Sequence, residues 1–167
     1  MNYQVVFTSK TGNTKKIAEV IYISIDSSNK SIYELEPGKV DYSADVYFVG
    51  FWINRGSCSI DILNMLSDMH GKKIALFGTC GSTNVSDYYK TIESEIDAFI
   101  PDDSEYLGMF LCQGKMPVQV REKYEELLKQ NPSDQHAKAM IENFDNATNH
   151  PDSIDLENAK KFVKRFL

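Results

Sequence analysis

Apolar residues along the chain fall into two alternating rhythms, and the alternation predicts the architecture. Three short runs are almost unbroken, Tyr3 to Thr8, Asp45 to Phe51 and Lys73 to Gly78, and Glu105 to Cys112 makes one more strand. The three unbroken runs, rich in β-branched and aromatic residues, mark strands buried on both faces. A further segment, Ser31 to Glu36, alternates and predicts an outer strand. Between the runs, apolar residues return every three or four positions. They do so at Ile17, Ala18, Val20, Ile21 and Ile25, through Ile60 to Met69, and at Tyr88, Tyr89, Ile92, Ile96 and Phe99 within a helix expected over 85–100. That spacing makes an apolar stripe on a helix. Strands alternating with helices imply parallel β-α-β units and a sheet covered by helices on both faces, an α/β fold.

The rhythm changes after Cys112. Val120, Tyr124, Leu127 and Leu128 mark one helix, stopped at Asn131-Pro132. Asp134 is placed to cap a second, with Ala137, Met140, Ile141 and Phe144 on its face. A loop through Asn149-His150-Pro151 leads to a last helix striped by Leu156, Ala159, Val163 and Phe166. Its acidic start (Asp152, Asp155, Glu157) and basic end (Lys160, Lys161, Lys164, Arg165) complement the helix dipole.

Composition narrows the class. The 167 residues suit one domain, 1–167, long enough to bury a substantial core. With 42% hydrophobic and 25% charged residues, neither a disordered chain nor a membrane protein is indicated. No apolar run approaches the roughly 20 residues of a membrane helix, and no secretory leader is recognisable, so a cytoplasmic protein is expected. Cys58, Cys80 and Cys112 form no C-x-x-C pair, which predicts buried thiols and supports neither a zinc site nor a dithiol motif. His136 and His150 stand singly on polar stretches and are expected to be solvated, so no metal site is expected. A net charge of −6 argues against unaided nucleic-acid binding. It suits docking onto the basic face of a protein partner.

Chemistry concentrates where the first strand meets the first helix. Thr8-Ser9-Lys10-Thr11-Gly12-Asn13-Thr14 carries four hydroxyls, an amide and one glycine. Backbone N–H groups at a helix N-terminus, aligned with its dipole, favour an anion. Gly12 permits a positive φ or a close backbone approach. Ser9, Thr11 and Thr14 supply hydroxyl donors, so the loop can take a phosphate without a neutralising side chain. The order of residues excludes familiar alternatives. A P-loop needs G-x-x-x-x-G-K-[ST], whereas Lys10 precedes the only glycine. A dinucleotide fold needs three glycines, and a receiver domain needs an acidic pair where Thr8 and Ser9 stand.

The run Ser9-x-Thr11-Gly12-Asn13-Thr14 after a first strand resembles the signature of the flavodoxin family. The resemblance extends over about 1–112 and the closing helix. It implies a three-layer α/β/α sandwich around a five-stranded parallel sheet of order 2-1-3-4-5, with a helical insertion at about 113–151. It also implies flavin mononucleotide (FMN) as cofactor, its phosphate on Ser9, Lys10, Thr11, Gly12, Asn13 and Thr14. The isoalloxazine would lie between the loops after the third and fourth strands. Those loops carry Trp52, Ile53, Asn54, Arg55 and Gly56, and then Thr79, Cys80, Gly81, Ser82, Thr83 and Asn84. Trp52, the only tryptophan, is the expected stacking partner. Gly56 is a candidate for the peptide that turns toward reduced flavin N5. Arg55 is expected to face solvent; turned to the ring, it would raise the potential by stabilising the reduced anion. Tyr88 and Tyr89 are within reach of the ring on this reading.

The resemblance implies an electron carrier, passing single electrons from a reductase to a partner enzyme, with redox proteins as donor and acceptor and no catalytic residue of its own. The alternatives are a flavodoxin-fold NAD(P)H-dependent FMN or quinone reductase, and a docking module that holds no flavin.

Overall fold

The computed structural model describes residues 1–82 and 87–167. In chain order the elements are β1 (Tyr3–Phe7), α1 (Asn13–Ser24), β2 (Lys30–Glu34), β3 (Val46–Trp52), α2 (Ile60–Ser67), β4 (Lys73–Cys80), α3 (Tyr88–Asp97), β5 (Glu105–Gln113), α4 (Val118–Gln130), α5 (Gln135–Ala147) and α6 (Ser153–Val163). The five strands form one sheet in the order β2-β1-β3-β4-β5, and every pairing is parallel. All strand carboxyl ends therefore emerge at the same edge, which is where open α/β sheets take ligands.

Alternation along the strands divides the core into two layers. Val5, Phe7, Phe48, Ala75, Phe77 and Cys112 meet Ile17, Ala18 and Ile21 of α1 and Ala159, Phe162 and Val163 of α6. Val6, Tyr47, Val49, Phe51, Ile74 and Leu76 meet Ile62, Met65 and Leu66 of α2 and Ile92 and Ile96 of α3. Covering both faces is what makes the central strands read as unbroken apolar runs. Phe48, Phe51 and Phe77 are fully buried, and each contributes on the order of 2–3 kcal/mol of burial energy. Gly50 is required by close approach, because an added Cβ would fall on the Phe77 ring.

Some expected boundaries shift. β4 continues through Thr79 and Cys80, so these residues lie on a strand end instead of in a loop. Residues Thr83, Asn84 and Val85 of the expected loop and helix lie outside the described residues. Phe99, expected on the stripe of the third helix, falls beyond α3 and is 43% exposed, because the helix ends at Asp97 ahead of Pro101. Asp134 does cap α5, accepting from the Ala137 N–H. Asp152 and Asp155 form a reciprocal capping box at the start of α6.

α4 and α5 pack on each other between β5 and α6, and none of α4 is fully buried. Arg121 ties them, its guanidinium donating to Asp145 across the pair and to Glu125 along α4. No helix among the described residues is long and apolar enough to cross a membrane.

Candidate functional site

The loop between β1 and α1 adopts the geometry of an anion cradle. Gly12 is the N-cap of α1 at φ 91°, in the left-handed region where a Cβ would be strained. The Ser9 hydroxyl oxygen accepts from the N–H groups of Gly12 (3.2 Å) and Lys15 (3.3 Å), holding the loop in a tight curl. Among the described residues, no protein acceptor meets the N–H groups of Thr11, Asn13 or Thr14. The first turn of α1 carries no acidic side chain, so its dipole is uncompensated. Thr11 is exposed, and the Thr8 hydroxyl is buried without a hydrogen-bond partner where β1 enters the loop. Thr14 is placed differently from the other hydroxyls. It is 1% exposed, and its Oγ1 lies 3.0 Å from Thr79 Oγ1 on β4.

Beside this loop opens a cleft of about 300 Å³ at the carboxyl ends of β3 and β4. Lys10, Thr11, Trp52, Ile53, Asn54, Thr79, Cys80 and Gly81 all line it, so the structure brings residues of the three predicted segments together. Lys10 Nζ stands 5.6 Å from the Trp52 ring centroid, a cation–π contact across the cleft mouth. After Trp52 the chain makes a tight turn. Asn54 and Ser57 pair in antiparallel fashion, with Arg55 (φ 52°) and Gly56 (φ 83°) both left-handed at its centre. Two successive positive φ values define a type I′ turn, which glycine tolerates and arginine adopts only under strain. Arg55 is exposed and outside the cleft lining, while burial pushes the Cys80 thiol pKa up.

The far wall was not legible in the sequence. Lys115, Met116, Pro117 and Val120, from the segment joining β5 to α4 and from α4 itself, complete the cleft. They are fixed there by specific contacts. Asn13 Nδ2 donates to the Lys115 carbonyl (2.8 Å), Lys115 N–H to the His150 carbonyl (2.9 Å) and Gly114 N–H to the Cys80 carbonyl (2.9 Å), while the adjoining Gly81 carbonyl accepts from Asn143 Nδ2 (2.8 Å) and Gln113 Nε2 (3.2 Å). An added Cβ on Gly114 would press on Asn13 and Thr79, so glycine lets this segment close onto the loop. Neither a spacing rule nor a motif marks these residues. The one signal was the apolar stripe of α4, which showed that this helix packs on something.

Other expected residues go elsewhere. Tyr89 donates its hydroxyl to the Ser82 carbonyl (3.2 Å), and neither Tyr88 nor Tyr89 lines the cleft. Cys58 is half-buried against the α2 layer of the core, its thiol pKa pushed up to about 11 by desolvation. His136 is exposed, edge-on to Tyr124. The expectation of a solvated His150 is corrected. Its side chain is only 28% exposed, and Nδ1 lies 2.6 Å from Asp155 Oδ2, because the Asp155 carboxylate reaches back past the start of α6, where it also accepts from Asp152 N–H. His150, Asp152 and Asp155 thus form a cluster, and the two carboxylates already serve as the capping box of α6.

A family model described as "Flavodoxin domain" matches residues 4–164. The chain belongs to the flavodoxin family. Among curated proteins it is 38% identical to the flavodoxin-like domain-containing protein BilS of Clostridioides difficile (strain CD3), over 100% of this chain and 97% of that protein. It is 31% identical to the protein of the same name from Clostridium symbiosum (strain WAL-14163), over 98% and 94% respectively. Among solved structures, a short-chain flavodoxin associated with a non-canonical PDU bacterial microcompartment superposes with a TM-score of 0.60 at 16% identity, covering 98% of this chain and 95% of that one. The flavodoxin of Streptococcus pneumoniae TIGR4 gives 0.57 at 16% identity, over 98% and 96%. A flavoprotein of Lactobacillus acidophilus NCFM solved in complex with FMN gives 0.51 at 19% identity, over 66% and 92%.

The residues present fit FMN as a cofactor. Free N–H groups, the Thr11 hydroxyl and an uncompensated helix dipole suit its phosphate, and the adjoining slot, walled by Trp52, Ile53, Met116 and Val120, suits a flat, largely apolar ring.

Proposed function

We propose that this protein binds FMN, phosphate on the loop Ser9–Thr14 and ring in the adjoining cleft, and shuttles single electrons between a reductase and a partner enzyme in the cytoplasm. The observation that carries this reading is the continuity of the anion cradle at the α1 N-terminus with an apolar slot beside Trp52. The cofactor supplies the redox chemistry; the chain's part is to bind it, orient it and keep water from one side of it. The FMN-bound flavoprotein of L. acidophilus and the flavodoxin relatives support the choice of ligand. Lys10 and Lys115 are the only charged residues among those described around the cleft, while the chain as a whole carries −6. That distribution favours an anionic ligand inside and a basic partner surface outside.

The test is direct. Protein incubated with excess FMN and desalted is expected to retain roughly one flavin per chain, with oxidised-flavin bands near about 370 and 450 nm. Dithionite titration of that protein is then expected to resolve two one-electron stages. Full reduction by NADPH without any partner would instead establish the reductase reading. A protein that retains no flavin would leave the docking module.

A further inference from the structure

β4 lies between β3 and β5 in the sheet, so the cleft above its end has two flanks. From the β3 side come Trp52 and Ile53; from the β5 side come Met116, Pro117 and Val120. Between them the end of β4 offers only Thr79, Cys80 and Gly81 as floor. All the apolar surface of the second flank, among the described residues, is therefore carried by the β5–α4 segment.

Met116 sits at the centre of that flank. Its side chain lies directly on Gly81, where an added Cβ would come within 2.5 Å of the sulfur and 2.8 Å of Cγ. Glycine at 81 thus leaves the space the methionine fills. The segment is pinned on three sides: Asn13 Nδ2 donates to the Lys115 carbonyl, Lys115 N–H donates to the His150 carbonyl, and Gly114 N–H donates to the Cys80 carbonyl. One of these anchors, His150, lies in the loop that follows α5, and α5 itself is tied to the floor beneath Met116, Asn143 Nδ2 donating to the Gly81 carbonyl. A thioether on an unbranched stem adapts to a flat ring and attracts its edge.

We propose that Met116 is the ring-contacting residue on the flank opposite Trp52, and that the α4–α5 pair exists at this end of the fold to hold it there. The inference rests on the FMN reading above and adds the second wall of the ring site. Ring contact and phosphate contact separate cleanly with riboflavin, which has the ring and lacks the phosphate.

Kd values of FMN and riboflavin, read from quenching of flavin fluorescence, test the proposal with no redox assay. Met116→Ala is expected to raise both by the same factor, on the order of tenfold, as for the loss of two buried methylene groups. Met116→Leu, which keeps the apolar bulk, is expected to restore both to within about threefold of wild type. Should the alanine variant fail to fold, Met116→Gln keeps the volume without the thioether and is expected to weaken both ligands equally. Affinities unchanged by these substitutions overturn the proposal, as does a loss confined to FMN. Wild-type protein that binds neither flavin removes the FMN reading itself, whereas binding by wild type with indifferent Met116 variants removes this inference alone.

Discussion

Thr11 and Thr14 look equivalent in the sequence, two hydroxyls in one short loop, yet their surroundings assign them different work. Thr11 is exposed and lines the cleft; Thr14 is 1% exposed, its hydroxyl paired with that of Thr79. Thr11→Ala is therefore expected to weaken FMN by roughly ten- to a hundredfold while leaving riboflavin and the melting temperature nearly unchanged, since one hydrogen bond to a charged group contributes about 1.5–3 kcal/mol. Thr14→Ala is expected to lower folding stability by about 1–2 kcal/mol, because it strands the buried Thr79 hydroxyl. Parallel flavin titrations and urea melts of the two variants check the division. At this scale the sequence shows which chemical groups are near the helix start. It does not show which of them turns inward, because that depends on Thr79, which lies 65 positions further along.

Among the elements, legibility follows how local the determining forces are. The three unbroken runs and the Glu105 to Cys112 strand appear within a residue or two of where they were expected; burial on both faces leaves little room for polar positions in β1, β3 and β4, while β5, at the sheet edge, is mostly half-buried. α5 and α6 begin where their capping aspartates stand, because a cap is a contact between near neighbours. Asp152→Ala removes both bonds that the Asp152 carboxylate accepts, from the Ile154 and Asp155 N–H groups, and is expected to cost about 1 kcal/mol in thermal or chemical melts. The loss should be accompanied by weaker docking of Phe162 and Val163 on the sheet. What the sequence hid was the path of the β5–α4 segment. Its course is set by Asn13 and by the space at Gly81 and Gly114, three points scattered along the chain, and no periodicity encodes such a meeting. Phe99 shows the converse error: a helical spacing continued on paper past a helix that had already ended.

For the whole molecule, alkaline pH is the informative perturbation. Tyr47 is fully buried, its hydroxyl donating to the Asp41 carbonyl and accepting from Ala44 N–H, and burial pushes its pKa up to about 12. Burial raises the Cys58 thiol to about 11 in the same way. An unfolded tyrosine loses its proton near about pH 10, so between the two values the folded state binds more protons than the unfolded one. The stability from Tyr47 is fully present below pH 10 and is lost as pH rises toward 12. Two units correspond to about 2–3 kcal/mol. Urea melts at pH values from 8 to 11.5 are expected to show that decline, and Tyr47→Phe, though less stable near neutrality, should show a shallower one.

The anchors of the cleft are also far apart in time. Asn13 waits for the carbonyl of Lys115, 102 positions later, and Lys16 donates to the Pro151 carbonyl, 135 positions later. At the usual pace of synthesis, about 5–20 residues per second, the first of those gaps alone takes a ribosome roughly 5–20 seconds. A nascent chain exposes its phosphate loop early and acquires the walls of the site late. On the proposed FMN reading, cofactor capture is expected to wait until nearly the whole polypeptide has emerged, and a product truncated before Lys115 is expected to carry the phosphate loop without retaining flavin.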